Sequence, residues 1–213
     1  MKFTFGKLLV AIVIVVIGIS FIYTIQGSEE GELSYLELVK EDREIKDELF
    51  VEDLEESPLS EEQLNAFKGL QYYPVKPELK IVGTLEKSPM RETIKITTSK
   101  GENRTYLNYG KVSFDLNGST HSLTVLKPFT AFSMGVPEDY LFLAFTDETS
   151  GYDTYGAGRY LELSEPENTD RITLDFNYAY NPYSAYNDTF DCPFPPKGNH
   201  VSVKVEAGEK NFN

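Results

Sequence analysis

A single cysteine, Cys192, in 213 residues leaves no intramolecular disulfide to form, so the fold must hold by packing even in an oxidising compartment. Basic side chains are scarce as well. Twenty Lys and Arg stand against 34 Asp and Glu, for a formal charge of −14 and a pI near 4.6. With no clustered Lys/Arg stripe, such a chain repels a phosphate backbone, which argues against nucleic acid as a partner. G-x-S-x-G, H-E-x-x-H, C-x-x-C, EF-hand and Walker sequences are all missing, so no cofactor and no metal is implied by motif. Hydrophobic residues at 40% and charged ones at 25% are ordinary globular values, which excludes wholesale disorder and a collagen-like chain.

The one long apolar run is Leu8 to Ile25, 18 residues without a charge, enough to cross roughly 30 Å of hydrocarbon. Lys2 and Lys7 precede it and Glu29, Glu30 and Glu32 follow, so the positive-inside bias places the N-terminus in the cytoplasm and the rest outside. The rival is a cleaved signal peptide, for which Gly18-x-Ser20 supplies a small-x-small pair. A retained anchor over residues 1–27 is the simpler expectation, with membrane contact through 8–25 and a single-pass, extracytoplasmic domain in a periplasm or at the cell exterior.

Between Ser28 and Ala66 lie 15 acidic and three basic residues. Of the formal −14, this stretch carries −12 and Lys2 with Lys7 carry +2, which leaves −4 from Phe67 onward. Leu33, Leu36, Val39, Ile45 and Leu49 recur at partly helical spacing, and the spacing predicts a charge-laced helix from Glu32 to Phe50 within an acidic stalk, 28–66. A second helix is predicted over 60–68. Ser60 and Gln63 fit a capping box, Leu59 and Leu64 a hydrophobic staple, and Gly69 a left-handed C′ residue.

From residue 67 to 213 the pattern is β. Alternating segments at 79–86, 92–98, 104–116, 119–126, 140–146, 158–163, 171–176 and 200–206 are separated by turn residues. Asn117-Gly118 predicts a two-residue type I′ hairpin in which Phe114 faces His121 and Val112 faces Leu123. No helix-length apolar periodicity intervenes, so the expected class is mainly β: an antiparallel β-sandwich or partly open barrel with short N-terminal helices, preceded by one transmembrane helix.

The C-terminal third carries the chemistry. Seven of the 14 tyrosines lie between Tyr152 and Tyr186, among glycines and small polar residues. Thr154, Tyr155, Gly158, Arg159, Asp175, Asn177, Tyr180 and Asn181 form a candidate ligand site, a few polar groups among aromatics. Arg159 would clamp an anion and an Asp, Asp147 or Asp175, would orient it; the structural alternative is an ion pair. G-x-G at Gly156-Ala157-Gly158 lacks the third glycine and the following helix of a dinucleotide site, so tight turning beside tyrosines explains it better. An enzyme of the hydrolytic or acid/base kind would use His121 with Asp147 or Asp175, though a histidine opposite Phe114 on an apolar face reads first as a core residue. His200 reads as surface. Asp147, Glu148, Asp153 and Asp170 could ligate Ca²⁺ only in a spacing that fits no known loop. A third reading is a scaffold that engages an envelope partner through its acidic stalk.

The segments F-T-D-E-T-S-G-Y-D-T-Y-G-A-G-R-Y-L (145–161), L-D-F-N-Y-A-Y-N-P (174–182), C-P-F-P-P (192–196) and E-A-G-E-K (206–210) resemble the family catalogued as domain of unknown function 1684. The resemblance extends upstream through S-P-L (57–59), F-K-G-L-Q-Y-Y-P (67–74) and the Asn-Gly hairpin. It implies organisation and candidate residues but no activity. Relatives often carry a second Cys where this chain has Ser184, so a thiol-pair mechanism implied by the family does not carry over.

Overall fold

The computed structural model describes residue 31 and residues 33–52, 57–90, 92–129 and 137–212. The predicted membrane segment 8–25 lies outside them; among the described residues no helix is long and apolar enough to cross a membrane. Residues 33–52 are helical (α1), and the chain divides between Asp42 and Arg43 into two compact units. In the first unit the described residues are helix alone.

The second unit is mainly β. Its strands are β1 (Lys80–Lys87), β2 (Thr93–Thr97), β3 (Asn103–Leu116), β4 (Ser119–Pro128), β5 (Tyr140–Asp147), β6 (Arg159–Ser164), β7 (Arg171–Asp175) and β8 (His200–Val201). They form one eight-stranded sheet in the order β6-β5-β4-β3-β1-β7, with β2 beside β3 and β8 beside β5. Strands β6 and β7, at the two ends of the order, also lie against one another, so the sheet is barrel-like and nearly closed. All ladders are antiparallel except β5–β8. The Asn-Gly hairpin holds the expected register, with Phe114 opposite His121 and Val112 opposite Leu123, and both turn residues have positive φ, 51° and 76°.

Alternation fills the interior with Val112, Phe114, Leu123, Val125, Leu141, Leu143, Phe145, Leu161, Leu163, Ile172 and Leu174. Each such side chain contributes about 1.5–3 kcal/mol on burial. Strand β5 is apolar on both faces for a reason: Phe142 and Ala144 point outward into a second cluster with Ile96, Tyr106, Leu126 and Tyr160. The loop at Pro193 covers part of that face, bridging Thr98 and accepting a hydrogen bond from the Tyr160 hydroxyl. A third cluster joins Phe50, Leu59, Leu70 and Tyr186.

Two local expectations need correction. The second helix, α2, runs Glu61–Ala66, with the Ser60–Gln63 capping box formed in both directions, but it stops at Phe67 in extended backbone rather than continuing to 68. Gly69 has a positive φ of 103° without closing the helix; its amide neighbour Leu70 N–H donates instead to Asp47 at 3.0 Å. The predicted strand 200–206 shrinks to His200–Val201. Beyond it the backbone groups of Val205 go to side chains: its N–H donates to Asp147 at 2.7 Å and its C=O accepts from Arg159 at 2.9 Å.

The antiparallel registers set two rims. Lys80, Asp147, Arg159 and Asp175 fall at the first; Lys87, Gly110, Lys127, Tyr140 and Ser164 fall at the second.

Candidate functional site

At the first rim a strand-to-turn junction and a strand start bring Asp147 and Arg159 together. Residues 147–150 turn tightly: Asp147 accepts from Thr149 N–H at 3.2 Å, from the Thr149 hydroxyl at 2.9 Å and from the Ser150 hydroxyl at 3.3 Å. Thr154 reaches the same group through its 2.8 Å contact with the Thr149 hydroxyl. Gly158, at φ 96°, then lets the chain reverse so closely to Phe145 C=O that a Cβ would stand 2.5 Å from that oxygen. Arg159 follows, with its side chain fully buried.

Arg159 is occupied on both terminal nitrogens. Nη2 donates to Asp147 at 3.4 Å and to Val205 C=O, and Nη1 donates to Ala207 C=O and, at 3.2 Å, to Glu209 C=O. Burial pushes the guanidinium down from its ordinary pKa, and Asp147 opposes the shift. The acid paired with Arg159 is thus Asp147, not Asp175. Asp175 caps Asn177 N–H at 3.2 Å and pairs with Lys80 at 3.9 Å.

The other expected ligand residues divide by burial. Asn177 is buried and brackets Lys76, accepting its N–H at 2.7 Å and donating to its C=O at 2.8 Å. Asn181 is buried, donating its amide nitrogen to Lys210 C=O at 2.8 Å and its backbone N–H to Glu209 at 2.8 Å. Tyr155 is half-buried, its hydroxyl 3.4 Å from Ser184 C=O. Tyr180 is half-buried on the outer face, and its hydroxyl donates to Glu162 at 3.1 Å. The Tyr140 hydroxyl reaches the same carboxylate oxygen at 3.4 Å. Burial first and Glu162 second raise the pKa of both phenols, so each remains a donor at neutral pH. Phe142 and Tyr160 meet edge to face at 4.8 Å in the adjoining cluster, and Tyr160 meets Tyr180 at 5.7 Å.

Two residues with no sequence signal organise this region. Glu209, buried at 1% exposure, accepts from Lys46, the Tyr186 hydroxyl and Asn181 N–H. Lys46 in turn sits 4.8 Å above the Tyr180 ring. Their separation of 163 residues hides the pair; only the improbability of burying E-A-G-E without a cation could have flagged it. Glu162 was hidden by its place as an ordinary outward residue of R-Y-L-E-L.

His121 is 6% exposed against Phe114, with ring centroids 5.6 Å apart and Nε2 without a hydrogen-bond partner. Among the described residues no hydrogen bond links it to Asp147 or Asp175. His200 is at the surface, its Nδ1 3.0 Å from the Thr146 hydroxyl and its Nε2 3.1 Å from Glu148. No group of three or more His, Cys, Asp or Glu able to hold a metal occurs among the described residues. Ser184 and Cys192 adjoin, the Ser184 N–H donating to Sγ at 3.4 Å.

No curated protein matches the chain. Among solved structures it is similar to an uncharacterised protein of Haloarcula marismortui, determined by solution NMR, at 33% identity over 85% of this chain and 96% of that one, with a TM-score of 0.65. The family model described as "Protein of unknown function (DUF1684)" matches residues 65–210, which take in the sheet, the Asp147–Arg159 pair and Glu209. The chain belongs to that family.

Proposed function

We propose that this protein is a non-catalytic binding domain, carried outside a membrane by residues 8–25, and that it takes a small polar ligand on the tyrosine face of β5 and β6. One observation carries the reading: the Tyr140 and Tyr180 hydroxyls converge on the exposed Glu162 carboxylate beside an aromatic floor of Phe142 and Tyr160. An acceptor and two donors beside aromatic rings suit a polyhydroxylated molecule, whose hydroxyls bond the polar groups while its C–H faces lie on the partly exposed Tyr140 and Tyr180 rings, themselves backed by the buried Phe142 and Tyr160. The polar groups of Arg159, Thr154, Asn177 and Asn181 hold the chain's own backbone and turns. Among the described residues no carboxylate is bonded to His121, and its ring packs on Phe114 instead, which favours binding over acid/base chemistry.

The test is an NMR titration of the full chain with a panel of mono- and oligosaccharides, following the aromatic resonances of Tyr140, Tyr180 and Phe142. Saturable shifts that Glu162→Gln weakens at least tenfold are expected. If no saccharide moves these rings, or if Glu162→Gln leaves the response unchanged, the reading fails.

A further inference from the structure

The second rim holds an arrangement of a different kind. Strand β3 breaks register between Asn108 and Gly110, so Tyr109 is the extra residue of a β-bulge. Gly110 makes the break possible: a Cβ there would lie 2.3 Å from Glu86 C=O, so no other residue lets β3 approach β1 this closely. Bulges re-aim side chains, and here the ring of Tyr109 packs against the end of the interior core while two ammonium groups flank it. Lys87, from the end of β1, stands 5.5 Å from the ring centroid and Lys127, from the end of β4, 5.7 Å. Into the space between them comes Glu165, the first residue after β6, with one oxygen 2.7 Å from Lys87 Nζ and the other 3.4 Å from Lys127 Nζ.

Three separate strands, β1, β3 and β4, therefore converge on one carboxylate. Its loop does not need that carboxylate for anchorage: Glu165 N–H donates to Asp139 C=O at 2.7 Å, and Asp170 C=O accepts from Leu85 N–H at 2.6 Å. The backbone fixes the loop at both ends without the side chain. Lys127 is 20% exposed and Glu165 30%, so solvent reaches the pair and the contact stays exchangeable. Removing Glu165 would leave two lysines over one aromatic face with no counter-charge.

We propose that Lys87, Lys127 and Tyr109 form a binding site for a small anion, a carboxylate or a phosphate, and that Glu165 is an internal stand-in which the ligand displaces. The bidentate pose of Glu165 shows the chemistry the site accepts: two oxygens of one planar or tetrahedral anion, one on each lysine. Lys87 and then Tyr109 hold the Glu165 carboxyl down to about 2, so at neutral pH the stand-in is fully charged and competes with any ligand. This site is independent of the tyrosine face on β5 and β6, and neither proposal needs the other.

The experiment uses the full chain and three variants: Glu165→Ala, Glu165→Gln, and Glu165→Ala combined with Lys87→Met and Lys127→Met. Inorganic phosphate and acetate are titrated separately while the Tyr109 ring resonances are followed, and thermal melts confirm that each variant is folded. Glu165→Ala is expected to bind one of the two anions at least tenfold more tightly than the natural chain, with Glu165→Gln between them; which anion gains more identifies the ligand as phosphate-like or carboxylate-like. The lysine variants are expected to abolish the gain. Equal affinity in Glu165→Ala and the natural chain, or a gain that survives loss of both lysines, overturns the proposal. Should the triple variant fail to fold, Glu165→Ala with Lys127→Met alone answers the same question.

Discussion

The two rims of the sheet each set a cation against a carboxylate, and the outcomes are opposite. At the first rim Arg159 and Asp147 are fully buried, and every partner beyond themselves is a backbone group or a turn hydroxyl of the same chain. At the second, Lys87 is half-exposed, Lys127 and Glu165 are partly so, and the partners are side chains. Burial commits a charge to architecture, because leaving it without its partner costs several kcal/mol. Partial exposure keeps a charge exchangeable, because water can replace the partner at little cost. A cation–carboxylate pair thus serves as a latch on one rim and as an open contact on the other.

The sharpest way to break this comparison is Arg159→Met. It strands Asp147, leaves the carbonyls of 207 and 209 without donors and leaves that of 205 with the Ala207 N–H alone, and a loss of about 3–5 kcal/mol in chemical denaturation is expected; a loss under about 1 kcal/mol would show that the buried pair is no latch. Next comes Glu209→Ala, which removes acceptors from Lys46, Tyr186 and Asn181 for about 2–3 kcal/mol, with Glu209→Gln losing less than half as much because Tyr186 and Asn181 keep an acceptor. Gly158→Ala forces a Cβ into a positive-φ position against Phe145 C=O and should cost about 1–3 kcal/mol, read as a lowered melting temperature. The smallest effect belongs to the second rim: Glu165→Gln should change stability by less than about 1 kcal/mol.

Acid sharpens the same contrast. The Glu165 carboxyl is depressed from 4.5 to about 2, chiefly by Lys87. A depressed carboxylate stabilises the fold above its unfolded value, so its contribution is present above pH 4.5 and disappears as the pH falls through about 2. Carboxyl ¹³C shifts of Glu165 should place its midpoint well below 4, and Lys87→Met should return it towards 4.5. A midpoint that ignores Lys87 would mean that the pair is not formed in solution.

Much of the fold was legible because its signals are local. Asn117-Gly118 demands positive φ at two successive residues, and the hairpin register follows from that alone. Ser60 with Gln63 marks a helix start within four residues. The eight strand positions followed from alternation, each within a few residues, apart from the last. That strand was misread because V-S-V-K-V alternates properly, yet Asp147 and Arg159, 58 and 46 residues earlier, take the backbone groups of Val205 that a ladder would have used. The choice of Asp147 over Asp175 as the partner of Arg159 was illegible for the same reason: both acids end strands at the first rim, and only the register and the turn at 147–150 distinguish them. Glu165 and the lysines of the second rim left one trace, Gly110 inside a long strand, which signals a bulge without saying what it aims at.

The pinning of residues 205–209 also bears on the order in which the chain is made. Asp147 and Arg159 leave the ribosome dozens of residues before Val205, Ala207 and Glu209, so β5 and β6 are complete while their polar partners do not yet exist. Until the chain has been synthesised through Glu209, the guanidinium cannot enter the interior with both terminal nitrogens satisfied, and the first rim must stay hydrated. Completion of this domain therefore awaits its final stretch, and a chain interrupted before residue 205 is expected to carry an open, protease-sensitive rim however well its hairpins have formed.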